Sequence, residues 1–383
     1  MAELTRRRAR QQLKAAFYAL SVLVVVVGFS ALLVPVVKKH SVAKLMSRSF
    51  LQKDQGVLLQ RDAFSMDDVL PIYGSSELTK SVKNRAGEFF KDAPTGFRVC
   101  AVGKAGNTCL VMAEKFAAVG KAMRGRKVVI LFSSTWFGHQ RDPVGFYEGN
   151  FSTLHGMNIA LDDSLNADVR RRLAKRMLDF PTTLESQPLL QACLHKIADP
   201  KSDGMFERMK LDAMRALLRL SKLIYDCEDQ LNTAVMGLCL GPEGQTRSHS
   251  ATFSPGELDE KKESAYLQTV KDSGEWMDFE LLLDLLKSLD AKVLAVSIPF
   301  PAAVLDVGPL KKATHDYYHT RFNSECAKRG YTPLLFAEHA GDSHFLIGNT
   351  THFTESGWLV VDKSIDDFYH NRPSYFTKPA KGK

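Results

Sequence analysis

The chain has 383 residues, a formal net charge of +8 and 45% hydrophobic residues. That suffices for a membrane segment plus one large core, or for two domains. The charge excess suits an anionic partner such as a phosphate-bearing envelope polymer or a lipid surface. With no aromatic-interleaved basic motif it does not argue for nucleic acid.

The first fourteen residues carry Arg6, Arg7, Arg8, Arg10 and Lys14 against one acid, Glu3. Residues 15–37 are uncharged and dominated by Val, Leu, Ala and Phe. A run of about twenty apolar residues crosses a bilayer as a helix, and the basic stretch before it favours a cytoplasmic N-terminus. The competing reading, a cleaved signal peptide, would have a shorter apolar core and a small-residue cleavage site. The reading is therefore a basic cytoplasmic segment (1–14), a transmembrane signal anchor (15–37), a linker or first helix (38–66) and an extracytoplasmic domain (67–383).

Within that domain, Val69–Tyr73 reads as a strand running into Gly74-Ser75-Ser76-Glu77. Phe97–Val102 is a buried strand ending in Gly103-Lys104-Ala105-Gly106-Asn107-Thr108, and Leu110–Met123 has helical apolar spacing. Lys127–Phe132 is a further strand, followed by Ser133-Ser134-Thr135-Trp136-Phe137. Residues 163–231 read as a helical insertion, taken as spanning about 160–240, with Arg170–Arg172 as a solvated face. Residues 241–262 read as a polar loop. A helix over 277–289, a strand over 293–298, a helix over 313–329, a short strand over 332–336 and a final helix over 357–369 complete the chain. Strands alternating with helices, with polar loops after each strand, predict an α/β fold on a parallel sheet. In such sheets sites lie beyond the carboxyl ends of the strands.

The six cysteines (Cys100, Cys109, Cys193, Cys227, Cys239, Cys326) form no C-x-x-C pair and no zinc spacing, so no metal is expected. Cys193, Cys227 and Cys239 leave room for one disulfide, which the sequence does not pair. The glycine turn at Gly74 presents a serine at a helix start, one way to aim a nucleophile at backbone N–H groups. The competing reading is a turn and N-cap. A nucleophilic serine needs a base, and His352 is a candidate; Asp342-Ser343-His344 is a rival acid–base pair. Trp136 and Trp358 read as core or lid anchors, Glu77 as a helix cap or an amine-binding acid, and Asn150 as a turn residue.

The ordered set Tyr73-Gly74-Ser75-Ser76-Glu77-Leu78, Gly103–Leu110, Ser133–Phe137, Glu275–Asp278, Ile298–Pro301 and Asn349-Thr350-Thr351-His352 with Gly357-Trp358 resembles the DltD family over most of the chain. That family resembles SGNH-type hydrolases, which implies a three-layer SGNH/flavodoxin-like parallel sheet with a helical insertion, preceded by one transmembrane helix. The resemblance implies Ser76 as nucleophile, His352 as base and Gly106 and Thr135 as oxyanion positions, with Ser75 the alternative nucleophile. Asn349 stands where the family has the triad aspartate, and Asp342 is the alternative acid. Thr135 stands where the family usually has glutamine. The implied activity is D-alanyl transfer onto a teichoic-acid-like polymer through a serine ester, with no cofactor. The implied setting is the outer face of the cell membrane, beside a DltB-like membrane O-acyltransferase and a D-alanyl carrier. The alternatives are an SGNH esterase or O-acetyltransferase on cell-surface polysaccharide, and a non-catalytic scaffold.

Overall fold

A computed structural model describes residues 45–373 apart from residue 49 and the segments 139–142, 201–204, 240–259 and 303–307, with scattered positions between residues 11 and 29 ahead of them. The anchor expected over 15–37 lies partly outside the described residues. Those described between Gln11 and Phe29 are helical, and among the described residues no helix is long and apolar enough to cross a membrane.

Four parallel strands form the centre: β1 (Val69–Gly74), β2 (Arg98–Gly103), β3 (Lys127–Ser133) and β4 (Lys292–Ile298), in the order β2-β1-β3-β4. All four are runs rich in Val, Ile, Leu and Ala with both faces covered, the pattern of a parallel sheet packed between helices. Side chains alternate between the faces. Tyr73, Val128, Ile130 and Phe132 point to a core with Phe116, Phe279 and Tyr318. Leu70, Ile72, Val129 and Leu131 point to a second core with Trp358, Val361 and Ile365. The chain is thus α/β, with an apolar core on each face of one sheet.

The register carries β1 to the end of β2, pairing Gly74 with Gly103, and carries β3 to the end of β4, pairing Ser133 with Ile298. The turns after all four strands therefore share one edge. The strand expected over 332–336 is reduced to one bridge, Val296 to Leu334. Pro333 has no N–H for a ladder, and Phe336 turns the chain at φ +47°.

The middle of the chain is helical, as expected, and its helices begin earlier than expected. Pro143–Asn150 and Thr153–Leu161 precede Ala167–Leu178, Pro188–Ala198 and the 35-residue helix Met205–Cys239. Most of the expected loop at 241–262 lies outside the described residues, and from Glu260 to Asp272 the chain is helical. Arg170–Arg172 is not a simple solvated face. Arg170 donates to the carbonyls of Ile159 and Ala160, and Arg172 reaches Asp284 at 2.8 Å.

The last helix, Glu355–Tyr369, starts where Thr354 Oγ1 accepts the Gly357 N–H at 3.0 Å. A β-carbon on Gly357 would meet the Phe345 carbonyl at 2.3 Å, which is why glycine precedes Trp358. Trp358 is buried edge-on to Phe353 and belongs to the core, whereas Trp136 is only half-buried against the opposite core. Cys193 and Cys227 are both free thiols, so they do not pair with each other; the Cys239 side chain lies outside the described residues.

Candidate active site

β1 ends at Gly74, and a short 3-10 turn over Ser76–Leu78 follows at once. Ser75 is fully turned inward and Ser76 only half-buried, so the two hydroxyls part company. Ser76 Oγ lies 2.9 Å from His352 Nε2, across 276 positions of sequence. Ser75 Oγ instead accepts the Gly106 N–H at 3.0 Å and donates to the Lys104 carbonyl at 3.2 Å. The alternative nucleophile is therefore a tie between the end of β1 and the glycine turn after β2. Glu77 is buried and accepts the Ser75 N–H at 2.6 Å. Burial raises its carboxyl to about 7. This is the capping role, directed at the backbone of the turn after β1.

Gly106 has φ +84°, and a β-carbon there would meet the Phe146 ring at 2.6 Å. Its turn is held from two further sides. Asn107 Nδ2 donates to the Gly74 carbonyl at 3.2 Å and to Asp54 Oδ1 at 3.0 Å. Asn150 Nδ2 donates to the Ala105 carbonyl at 3.2 Å. Asn150 is thus a buried brace at a helix end and no mere turn residue. Asp54 in turn faces Lys115 Nζ at 2.8 Å, both side chains almost wholly buried. A chain of Lys115, Asp54, Asn107 and Gly74 therefore supports the turn that carries Ser75 and Ser76. Substituting alanine for Gly106 is expected to lower acyl transfer by about 10²-fold, comparable to losing one oxyanion donor. Steady-state assay of the variant checks this, and wild-type turnover would show that the turn accommodates the β-carbon without moving the Gly106 N–H.

His352 sits on the loop between Leu346 and Phe353, which a bridge holds closed. Ser133 Oγ donates to Thr351 Oγ1 at 3.0 Å and is 2.9 Å from Thr135 Oγ1. Ser133 therefore ties the end of β3 to the histidine loop, and the Thr135 hydroxyl, expected at an oxyanion position, contacts Ser133. Asp342 accepts from His339 Nδ1 at 3.0 Å and from the His344 N–H at 2.8 Å, so the alternative acid is committed elsewhere. Asn349 lies three residues before His352, yet His352 Nδ1 is buried with no hydrogen-bond partner among the described residues. For Nε2 to accept the Ser76 proton, Nδ1 must carry the other one. That buried N–H without an acceptor costs about 1–3 kcal/mol.

Burial, helped by the Lys80 charge, pushes the His352 imidazole from 6.5 down to about 4. The imidazole is therefore neutral, and able to act as a base, through the physiological range. A base must be deprotonated, so acyl transfer is expected to hold a plateau on acidification and to halve near pH 4. A pH–rate profile with its acid limb at about 6.5 would contradict a desolvated base. The sign for stability agrees. A folded pKa below the unfolded one gives a contribution present above about 6.5 and lost as the pH falls toward 4.

Sequence reasoning found Ser76, Gly106 and His352, which the fold brings to one edge. It missed Asn107 and Asp54, whose side chains meet across 53 positions. It also missed Thr351, although that residue lay inside the quoted Asn349–His352 block. Among the described residues no group of three His, Cys, Asp or Glu is placed to hold a metal.

A serine and a histidine in hydrogen-bond contact therefore lie beyond the carboxyl edge of the parallel sheet of an α/β protein. Comparison with known proteins gives the family. The DltD family model (DltD protein) matches residues 49–259 and 250–370, and the chain belongs to the DltD family. Protein DltD of Bacillus subtilis (strain 168) is 27% identical over 345 residues, covering 82% of this chain and 86% of that one. Protein DltD of Staphylococcus aureus (strain NCTC 8325 / PS 47) is 20% identical over 341 residues, covering 83% and 85%. Protein DltD of Lacticaseibacillus rhamnosus is 22% identical over 371 residues, covering 85% and 82%.

Proposed function

We propose that the protein takes part in D-alanylation of an anionic, teichoic-acid-like envelope polymer, as an acyl transferase that works through an ester on Ser76. The observation that carries the reading is the 2.9 Å contact between Ser76 Oγ and His352 Nε2. Ser76 Oγ attacks the acyl carbonyl while His352 Nε2 takes its proton, then gives it to the departing group. A polymer hydroxyl next attacks the ester, again losing its proton to His352, and Ser76 is regenerated. Backbone N–H groups at Ser76 and Gly106 supply the oxyanion donors. The Gly106 N–H, taken by Ser75 Oγ at rest, must turn toward the substrate to serve. The scheme needs no metal or soluble cofactor.

The family membership supports the acyl group and the envelope setting. The apolar stretch 15–37 supports a single-pass anchor with the domain outside, where a DltB-like O-acyltransferase and a D-alanyl carrier would deliver the acyl group. One observation favours the scaffold reading instead, the missing acceptor for His352 Nδ1. Alkali-released D-alanine from whole envelopes separates the readings. Loss in a deletion strain and in both Ser76→Ala and His352→Ala complements supports transfer. Loss in the deletion alone supports a scaffold, and no change in any strain removes D-alanine from the account.

A further inference from the structure

After β1 the chain closes a single helical turn, in which the Lys80 N–H donates to the Ser76 carbonyl at 3.1 Å. A turn of that kind sets residues three and four apart on one face. Burial follows the same period. Ser75, Glu77 and Leu78 are buried, whereas Ser76, Thr79 and Lys80 are partly open. The open face of the turn therefore carries the nucleophile, a threonine and one cation. The threonine is occupied, since its Oγ1 donates to the Ser76 carbonyl at 3.0 Å. The cation is not. Lys80 makes no ion pair and no side-chain hydrogen bond among the described residues. The acids near it in sequence are committed elsewhere: Glu77 to the Ser75 N–H at 2.6 Å, and Glu88 to Arg85 and Lys91 at 3.6 and 3.4 Å.

An unpaired ammonium is a poor neighbour for a base. When Ser76 or an acceptor hydroxyl gives its proton to His352 Nε2, an imidazolium forms, and the Lys80 charge opposes it. Asp342 is held by His339 and offers no relief. A negative group brought by a substrate would. This step rests on the acyl-transfer reading, in which the two substrates bring opposite charges. The D-alanyl group carries an ammonium, which Lys80 repels. A teichoic-acid-like acceptor carries a phosphodiester a few bonds from each hydroxyl, which an ammonium binds.

We propose that Lys80 is the residue that recognises the acceptor: its ammonium holds a phosphodiester of the polymer on the open face of the Ser76 turn and so sets the neighbouring hydroxyl against His352 Nε2. That hydroxyl loses its proton to Nε2 as its oxygen attacks the Ser76 ester. The bond from the acyl carbon to Ser76 Oγ then breaks, and Oγ takes the proton back from Nε2. The polymer leaves as the ester, with no change of oxidation state. The bound phosphate offsets the Lys80 charge as the imidazolium forms. Water brings no phosphate, so the acyl group passes to the polymer and is kept from hydrolysis.

Acceptor competition with the full-length protein in phospholipid-free detergent tests this. D-alanyl N-acetylcysteamine thioester loads Ser76, and glycerol, a glycerol phosphate oligomer or phosphatidylglycerol takes the acyl group. The wild-type protein is expected to prefer the oligomer to glycerol in kcat/KM. Lys80→Gln is expected to lose about tenfold or more of that preference, mostly as a higher KM for the oligomer, and Lys80→Arg to keep most of it. The acid limb of glycerol transfer should lie at higher pH in Lys80→Gln than in the wild type, because the opposing charge is gone. A preference that survives in Lys80→Gln would overturn the proposal. So would an equal loss toward both acceptors, which assigns Lys80 to the fold. A Lys80-dependent preference for phosphatidylglycerol over the oligomer would overturn it too, by moving the phosphate to a lipid headgroup. Absence of any acyl adduct on Ser76 in the wild type would overturn the serine-ester reading, and this proposal with it.

Discussion

Ser76→Ala is expected to lower acyl transfer by about 10⁴-fold or more while leaving the fold and the Ser75 contacts in place. In the parent, Ser76 Oγ is the hydroxyl within 2.9 Å of His352 Nε2, and the neighbouring Ser75 Oγ is held by the Gly106 N–H and the Lys104 carbonyl. Removing the nucleophile of such a pair leaves only binding and oxyanion stabilisation, which together supply a small part of the rate. Ser75→Ala makes the contrast. It should loosen the glycine turn and weaken turnover far less, because it removes two ground-state hydrogen bonds and no reacting atom. If Ser75→Ala were the dead variant and Ser76→Ala active, the assignment of nucleophile would be reversed. His352→Ala should resemble Ser76→Ala, and the double variant should be no worse than either single one, since the two groups act as one unit.

The second large effect is on stability. Asp54→Ala is expected to cost about 3–5 kcal/mol, read from the denaturant midpoint of the full chain in detergent. It strands the Lys115 ammonium in a place where that side chain has no exposure, 2.8 Å from the lost carboxylate. Burial already holds the Lys115 amine below its ordinary value, and Asp54 is the largest of the influences that oppose this. The loss should extend to activity, because Asp54 also fixes the Asn107 amide that supports the Gly74 carbonyl beneath the nucleophile. Replacing both partners, Asp54→Ala with Lys115→Met, removes the stranded charge and should recover most of the stability without recovering the turnover. Equal recovery of both would show that Asn107 needs no partner to hold the turn.

The strands and the edge that carries the site were legible because their signals are local. Each is a short apolar run; three end in a glycine or serine turn and β4 in Pro299-Phe300-Pro301, and a parallel sheet gathers such turns on one side. The Ser76–His352 contact was legible only through the ordered motifs, since nothing local relates two residues 276 positions apart. The support beneath it was not legible. Asp54 stands in a polar stretch that reads as surface and Lys115 is a charge within an otherwise apolar helix; only the closed fold reveals that the two meet, both buried. Asn150 looked like a turn residue for the same reason; its amide contact lies 45 positions away. The resemblance put Asn349 at the position of the triad aspartate and left Asp342 as the alternative acid. The structure gives Asp342 to His339 and brings neither residue to His352 Nδ1.

The central claim is that Ser76 is an activated nucleophile, and the most direct measurement is covalent labelling of the intact protein with a fluorophosphonate, followed by peptide mass mapping. One adduct per chain on Ser76, lost in His352→Ala, is the predicted result. An adduct on Ser75, or an unlabelled protein that still supports envelope acylation, would contradict it.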